Sequence, residues 1–291
     1  MTGTLRRRGE TYEISWDAPA ELTTAHNEAG RGCELSELVK FGDALYTFDD
    51  RTGIAFQIMN PLRSDAAEAP FLVPRHIFTE GSGAVGDKGL KIEWATVKDN
   101  AIVVGSFGKE FTNNKGEIAH SNNLWVVQWG RDGAAVHVNW KPYYDAMRTA
   151  LGYAHPAYLL HEAVAWSPHH RKWFVFPRRV SKEPYDDVAD ESRGSNLVIT
   201  ASHDFHEVAS TTVGKRTPER GFSSVKFLPG SRDSVVIALK SEENAAAGTQ
   251  RTFLTIYGEV PGSAGSAWKV LLDETPLPVE SKFEGIEILA A

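Results

Sequence analysis

Five short strand-like runs in this sequence each open on an acidic or hydroxyl residue, and these residues could together hold a metal ion. They are Ser36 or Glu37, Glu93, Glu162, Ser223 and Glu284. If the runs are equivalent strands of a ring, their first side chains meet near its axis, where unpaired carboxylates would repel each other. A hard cation removes that repulsion, and calcium takes about six to eight oxygen ligands. We find no Cys and His cluster, which disfavours zinc. The alternative is that each residue is an exposed polar flank of a strand; the shared register favours a calcium site.

Charged clusters that follow or precede these runs have the residue types that bind phosphate. Asp49, Asp50 and Arg51 follow one strand-like run, and Arg178 and Arg179 hold the same place in another. Arginine presents a planar fork to phosphate oxygens, and an aspartate can orient a metal-bound water or accept its proton. The competing interpretations are a hairpin turn with a local ion pair for the first cluster and a solvated loop for the second.

Three further residues beside these runs are candidates for the same site. Arg31 precedes the first run, Lys91 precedes Glu93, and Trp94 follows it. Trp94 is a candidate for stacking on a base, although a tryptophan in a strand is more often a core residue.

The elements that must position these residues recur about every 60 residues. Alternating, β-branched runs are joined by Gly, Asn, Asp and Pro, which indicates strands and turns. Each unit has room for about four strands, as in a propeller blade. We therefore predict an all-β, five-bladed β-propeller in a single domain, 1–291, with the strand 11–16 completing the last blade and closing the ring. A β-sandwich is the alternative. The five runs are 37–41, 93–97, 162–166, 223–227 and 284–288.

One helix is expected, over residues 142–151, because Pro142 stands at its start and Gly152 just beyond its end.

The overall composition excludes several classes of protein. The chain has 291 residues and a formal net charge of −7, which argues against a general nucleic-acid-binding surface. No apolar stretch approaches the length of a membrane span. Cys33 is the single cysteine, so no intramolecular disulfide forms. No signal peptide is visible at the N-terminus, and the residues alone assign no compartment.

Taken together, the motifs of this chain resemble the soluble calcium-activated nucleotidase (apyrase) family. The resemblance runs from about Tyr12 to the C-terminus. The stretches that carry it are 30–38, 45–53, 91–94, 108–110, 158–162, 173–179, 221–227, 237–243 and 283–288.

The resemblance implies a five-bladed propeller with calcium near its centre. It also implies that Ser36, and not Glu37, is the first calcium ligand. The implied calcium ligands are Ser36, Glu93, Glu162, Ser223 and Glu284. The implied nucleotide-site residues are Arg31, Asp49, Asp50, Arg51, Lys91, Glu110, Arg178 and Arg179. It also implies a secreted or secretory-pathway protein, and we keep a homodimer as an open expectation.

The hypothesis that follows is calcium-assisted hydrolysis of nucleoside di- or triphosphates. Calcium would polarise phosphate oxygens and position the attacking water, and Arg51, Arg178 and Arg179 would neutralise charge on the phosphoryl group. Asp49 or Asp50 would align or deprotonate the water.

Two rival functions remain open. Family members carry an Asp-Leu-Asp strand upstream of residue 12 that this sequence does not contain. We therefore expect an incomplete first or last blade, and keep a non-catalytic calcium-binding propeller as the alternative function. A sugar-processing propeller needs an acid/base pair of carboxylates, and no pair stands out.

Overall fold

The computed structural model describes residues 1–62, 69–84, 88–113, 117–258 and 268–289. Within these ranges the chain begins with an antiparallel hairpin and then forms four-stranded antiparallel sheets, each resembling a propeller blade. The hairpin consists of β1 (Gly3–Arg8) and β2 (Thr11–Trp16). Blade 1 consists of β3 (Leu35–Phe41), β4 (Ala44–Asp49), β5 (Ile54–Met59) and β6 (Phe71–Ile77).

Blade 2 carries an inserted two-stranded hairpin between its second and third strands. Its strands are β7 (Trp94–Lys98), β8 (Ala101–Gly105), β11 (Trp125–Gly130) and β12 (Ala135–Asn139). The inserted hairpin is β9 (Phe111–Thr112) with β10 (Ile118–His120).

Blades 3 and 4 follow the helix α1 (Lys141–Leu151). Blade 3 has β13 (Tyr158–Ser167), β14 (Lys172–Ser181), β15 (Leu197–Ser202) and β16 (Val208–Thr212), with a short helix α2 (Asp187–Asp190) after β14. Blade 4 has β17 (Arg220–Phe227), β18 (Val235–Asn244), β19 (Thr249–Gly258) and β20 (Lys269–Pro276).

The first strands of the four blades lie side by side around a common axis. Strand β7 contacts β3 on one side and β13 on the other, and β13 contacts β17. Residues 283–288 lie between β17 and β3: Ser223 Oγ donates to the carbonyl of Phe283 over 3.0 Å, and the amide of Glu37 donates to the carbonyl of Glu284 over 3.0 Å. This arrangement is that of a β-propeller and not of a β-sandwich.

The described residues contain four blades, so the prediction of five is not confirmed. The strand β2 pairs with β1 over its whole length in a two-stranded sheet. That hairpin packs on blade 4, where Thr11 Oγ1 donates to the carbonyl of Leu271 over 2.7 Å and Tyr12 is buried in one cluster with Leu254 and Ile256. One edge of β2 pairs with β1, and the buried side chain of Tyr12 packs against blade 4. Among the described residues, β2 is therefore part of a two-stranded sheet and not of a four-stranded fifth blade.

The helix α1 confirms the sequence prediction to within one residue. Pro142 lies in its first turn, and Gly152 follows its last residue with a φ of 69°, where its amide donates to the carbonyls of Arg148 and Thr149. The helix buries Tyr144 and Met147 against blades 2 and 3.

The hydrophobic core lies between neighbouring blades. One cluster joins blades 1 and 2, the next joins blades 2 and 3, a third joins blades 3 and 4, and the last joins blade 4 to the N-terminal hairpin. These interfaces fix the blades against each other and hold the first residues of their inner strands at the axis.

Candidate metal centre and adjoining cavity

Local irregularities in the inner strands turn polar side chains toward the axis. The pairing of β13 with β14 shifts around Glu162, and the pairing of β17 with β18 shifts around Ser223. Glu93 directly precedes β7, and its amide donates to the carbonyl of Gly105 over 2.9 Å. A β-bulge places an extra residue in one strand and re-aims its side chain, which explains why Glu162 and Ser223 leave the alternation of their strands.

Three carboxylates meet at the axis. One oxygen each of Glu93, Glu162 and Glu284 lies within 4.8 Å of the others. Calcium binds oxygen at about 2.3–2.6 Å, so two ligands of one ion are at most about 5 Å apart. The spacing of the three oxygens therefore suits a shared calcium ion.

Two serine hydroxyls contact the C-terminal segment that carries Glu284. Ser36 Oγ donates to Glu284 Oε2 over 3.0 Å, and Ser223 contacts the backbone of the same segment through the carbonyl of Phe283. Both serines are fully buried. Carboxylates and hydroxyls are ligands for a hard cation, and this donor set fits calcium.

The side chains of Ser36 and Glu37 point in different directions. Glu37 has a positive φ of 58°, and its buried carboxylate turns toward blade 4. There its Oε1 accepts from Ser224 Oγ over 2.7 Å and lies 2.9 Å from Lys226 Nζ. Of these two side chains, it is that of Ser36 that contacts a carboxylate of the cluster.

Basic side chains contact each carboxylate of the cluster. Lys91 Nζ lies 2.6 Å from Glu93 Oε1 and 2.5 Å from Asp50 Oδ2. Arg178 pairs with Glu162 and with Glu243, and its Nη1 lies 3.7 Å from Glu284 Oε1.

Lys282 contacts the cluster from the C-terminal segment. It pairs with Glu284, and its Nζ lies 3.4 Å from Glu243 Oε1. Positive charge is thus supplied to each of the three carboxylates from within the chain.

The pKa values of Glu93 and Glu284 are shifted in opposite directions because their basic neighbours differ. Burial raises the pKa of Glu93 to about 8, and the carboxylates of Glu162 and Glu284 add to this while Lys91 opposes it. For Glu284, burial acts in the same direction, but Lys282 and Arg178 outweigh it and hold its pKa below the usual range. Ionisation of Glu93 at neutral pH therefore calls for further positive charge, which a dication would supply.

An open cavity of about 800 Å³ adjoins the cluster. That volume is in the range of small-molecule sites. Of the residues that the sequence singled out, the cavity is lined by Asp50, Lys91, Glu93, Glu162, Arg178, Arg179 and Glu284.

Of the two aspartates that the sequence singled out, Asp50 is the one that lines the cavity. Its Oδ2 contacts Lys91, while its Oδ1 is buried and has no hydrogen-bond partner among the described residues. Burial raises its pKa, opposed by Lys91. An unpartnered buried oxygen at a cavity wall is placed to accept a hydrogen bond from water or substrate.

Asp49, by contrast, supports the local turn. Its side chain accepts from the amides of Glu34, Arg51 and Thr52 and from the Thr52 hydroxyl, at 2.7–3.1 Å. It is fully buried and does not line the cavity. Its Oδ1 is occupied by the turn that follows it, and its Oδ2 by the amide of Glu34, which precedes β3.

Arg31 and Arg51, which the sequence also predicted as nucleotide-site residues, do not line the cavity either. Arg51 pairs with Glu28 at 2.7 Å, and Arg31 pairs with Glu34 at 2.7 Å. Both pairs are at the surface, and Glu28 lies outside the hairpin turn for which the sequence left a local ion pair open as the alternative.

Trp94 and Glu110 face the interior and do not line the cavity. Trp94 is fully buried in the core between blades 2 and 3, and its indole N–H donates to the carbonyl of Ser106 over 2.9 Å. Glu110 accepts twice from Arg148 Nη1, at 3.0 and 3.1 Å. Both side chains have the contacts of structural residues.

Several cavity residues were missed from the sequence. Glu243 lies in a stretch noted for the resemblance and Lys282 directly precedes another, but neither was singled out as a site residue. Tyr185 and Asp190 lie in the segment after β14, and Asp190 Oδ2 is 3.6 Å from Arg179 Nε. The one available signal was Lys282, which precedes Glu284 by the same interval as Lys91 precedes Glu93.

Among the described residues, no helix has the length and apolarity needed to cross a membrane.

Comparison with known proteins agrees with the geometry. A family model described as Apyrase matches residues 1–289. The rat protein named soluble calcium-activated nucleotidase 1 is 40% identical over 288 residues, which is 98% of this chain and 66% of the rat protein. An apyrase of Cimex lectularius is 36% identical over 294 residues, covering 99% of this chain and 75% of that protein. An apyrase of Phlebotomus duboscqi is 37% identical over 292 residues, covering 99% and 80%. The chain spans about two thirds of the length of the rat nucleotidase.

Proposed function

The chain belongs to the apyrase family, and from that premise we propose that it hydrolyses nucleoside di- or triphosphates, such as UDP, GDP, ADP or ATP, in a calcium-dependent reaction. The products are inorganic phosphate and a nucleotide shorter by one phosphate. The observation that carries this proposal is the cluster of Glu93, Glu162 and Glu284, with oxygens within 4.8 Å of each other, at the wall of a cavity that arginine and lysine also line.

The residues that would hold calcium are Ser36, Glu93, Glu162, Ser223 and Glu284. Calcium supplies Lewis acidity toward the phosphate oxygens. The protein's own contribution would be the ring of inner strands, which supports the proposal by bringing oxygens of Glu93, Glu162 and Glu284 within 4.8 Å of one another.

Arg178, Arg179 and Lys91 are the phosphate-binding groups in this proposal. All three line the cavity. Arg178 is anchored by Glu162 and Glu243 and is therefore fixed in direction. Burial and the neighbouring Arg178 lower the pKa of Arg179, but a guanidinium keeps its charge at neutral pH. Fixed cations at the cavity wall stabilise the charge that builds up on the phosphoryl oxygens during transfer.

Asp50 is the residue that we assign to the attacking water. Its free Oδ1 accepts a hydrogen bond from that water, while Lys91 fixes its Oδ2. The water oxygen bonds to the terminal phosphorus as the bond to the bridging oxygen breaks. The water proton passes to Asp50, and the bridging oxygen leaves with the nucleotide.

For the architecture, we propose that the β1–β2 hairpin and residues 283–288 serve as the fifth unit of the ring in one domain, 1–291. Supporting this, residues 283–288 lie between the inner strands β17 and β3. By family resemblance the protein is secreted or in the secretory pathway, and a homodimer stays a prediction from the sequence.

Phosphate release from UDP, GDP, ADP and ATP, measured in calcium and in excess chelator, tests the proposed function. We expect release in calcium and a return to background with chelator. Release that is equal in both conditions would contradict calcium dependence. Nucleotide binding without release would favour the non-catalytic calcium-binding propeller.

A further inference from the structure

We propose that Lys282 is a phosphate-binding residue whose ammonium group alternates between the Glu284 carboxylate and the substrate phosphate, with Glu243 holding it beside the cavity. This inference rests on the proposed function and names a residue and a coupling that the function does not itself require. It predicts that calcium and nucleotide strengthen each other's binding through this side chain.

The position of Lys282 repeats that of Lys91. The sequences Lys-Ile-Glu at 91–93 and Lys-Phe-Glu at 282–284 place a lysine at the same interval before a carboxylate of the cluster. In both, the lysine contacts that carboxylate. Both lysines line the same cavity. Lys282 therefore contacts Glu284 in the same way as Lys91 contacts Glu93, from the same interval earlier in the sequence.

The two oxygens of Glu284 have different contacts. Oε2 accepts from Ser36 over 3.0 Å, whereas Oε1 contacts Lys282. A cation that takes Glu284 as a ligand therefore competes with the ammonium group for the same carboxylate. Two positive charges on one carboxylate repel, so the binding of a dication weakens the hold of Glu284 on Lys282.

Glu243 gives the displaced ammonium a second anchor. Its Oε1 lies 3.4 Å from Lys282 Nζ, and its Oε2 contacts Arg178. Glu243 is outside the set of three carboxylates that meet at the axis. A metal ion held by those three would therefore not compete for the contacts of Glu243 with Lys282 and Arg178. Lys282 then stays at the cavity wall next to Arg178.

The chemistry of the two basic groups explains why the lysine is the one that moves. The planar guanidinium of Arg178 is fixed by contacts to Glu162 and Glu243, and its side chain is 5% exposed. Lys282 is 21% exposed and carries a compact charge on a flexible stem. A nucleotide phosphate in the cavity offers that charge a new partner, and reciprocal coupling between the two ligands follows.

Calorimetric binding to three variants tests the inference. The ligands are calcium alone, and α,β-methylene-ADP with and without saturating calcium. For Lys282→Met, we expect analogue binding in calcium to weaken about tenfold or more, and calcium binding without nucleotide to tighten several-fold. Lys282→Arg should retain most of the analogue affinity. Lys141→Met is the matched control, because it removes the same charge from an exposed lysine on α1 that pairs with Asp145.

The outcomes separate this inference from the proposed function. If the wild type binds no analogue in calcium, both fail. If the wild type and Lys282→Met bind it equally, Lys282 is only a structural counter-ion and the inference is overturned while the proposed function stands.

A measurement on the unmutated protein covers the case in which Lys282→Met does not fold. Reductive methylation followed by mass spectrometry reports the reactivity of each lysine. Calcium should raise the labelling of Lys282, and α,β-methylene-ADP added with calcium should lower it, with Lys141 unchanged. If neither calcium nor α,β-methylene-ADP changes the extent of Lys282 methylation, the inference is overturned.

Discussion

Ser36 and Glu284 come from opposite ends of the chain and form a parallel β-bridge, with Ser36 Oγ donating to Glu284 Oε2 over 3.0 Å. The contact joins blade 1 to the C-terminal segment that follows blade 4, so it closes the ring of inner strands. It also brings a hydroxyl to the cluster that Glu93 and Glu162 share with Glu284. The contact that closes the ring therefore also involves two residues of the proposed calcium site.

Neutralising a carboxylate of the cluster should weaken calcium binding. We expect Glu162→Gln to lower calcium affinity about 100-fold and to abolish calcium-dependent phosphate release, because a carboxamide carries no charge for a hard cation. Calcium titration by calorimetry measures the first effect. Glu207→Gln, which changes an exposed glutamate, is the control and should bind calcium like the wild type. Equal affinity for Glu162→Gln would remove this residue from the site.

Asp49 and Asp50 should separate structure from catalysis. Asp50→Asn should lower kcat about 100-fold or more with little change in Tm, since it removes the proton acceptor. Asp49→Asn should lower the free energy of unfolding by about 1–3 kcal/mol, because amides and a hydroxyl lose a charged acceptor, while kcat of the folded protein changes little. Steady-state kinetics and thermal unfolding of both variants check this. A reversed pattern would show that Asp49 aligns the water.

Trp94 should affect stability and not substrate binding. Trp94→Phe removes the hydrogen bond to Ser106 and part of the packing between blades 2 and 3. We expect the free energy of unfolding to fall by about 1–3 kcal/mol, with KM for nucleotide unchanged. Denaturant unfolding and KM determination test this. If Trp94→Phe raised KM and left the free energy of unfolding unchanged, Trp94 would be a substrate-binding residue instead.

His161 should make the calcium-free protein sensitive to acid. Burial, aided by Arg148, lowers its pKa to about 3, whereas an unfolded histidine titrates near pH 6.5, at about its reference value. The unfolded chain therefore binds one more proton between these values, and stability falls as the pH drops from 6.5 toward 3. Above pH 6.5 this contribution to stability is complete.

Denaturant unfolding in chelator from pH 7 to pH 4 measures that effect. His161→Gln should show a shallower loss of stability on acidification than the wild type, whereas His206→Gln, at a histidine that is 87% exposed, should not. Identical pH slopes for the wild type and His161→Gln would mean that His161 is not held neutral by its surroundings.

Alternation and turn chemistry were sufficient to predict much of the fold. They gave the strand-rich units, the propeller arrangement and the helix α1, whose boundaries depend on local signals at Pro142 and Gly152. The fifth blade was not confirmed, because the pairing of β2 with β1 is a choice between partners of similar pattern. Sequence periodicity shows that a strand exists and not which edge it joins.

The site was harder to predict because it depends on register. Neighbouring residues in a strand face opposite sides, so Glu93 at the axis implies Trp94 in the core, and that inference was available from the sequence. The site depends on three-dimensional packing at several points: the bulges around Glu162 and Ser223, the exposure of Asp50 but not Asp49 to the cavity, and the contact of Glu243 with Lys282. No spacing rule in the sequence shows them.

The most direct test of the central claim is a crystal structure grown in calcium, with the ion located by its anomalous signal. We predict one ion at the axis, with oxygens of Glu93, Glu162 and Glu284 at about 2.3–2.6 Å and Ser36 and Ser223 beside it. An axis without calcium in millimolar calcium, or an ion bound elsewhere with these carboxylates still paired only to Lys91, Arg178 and Lys282, would contradict it.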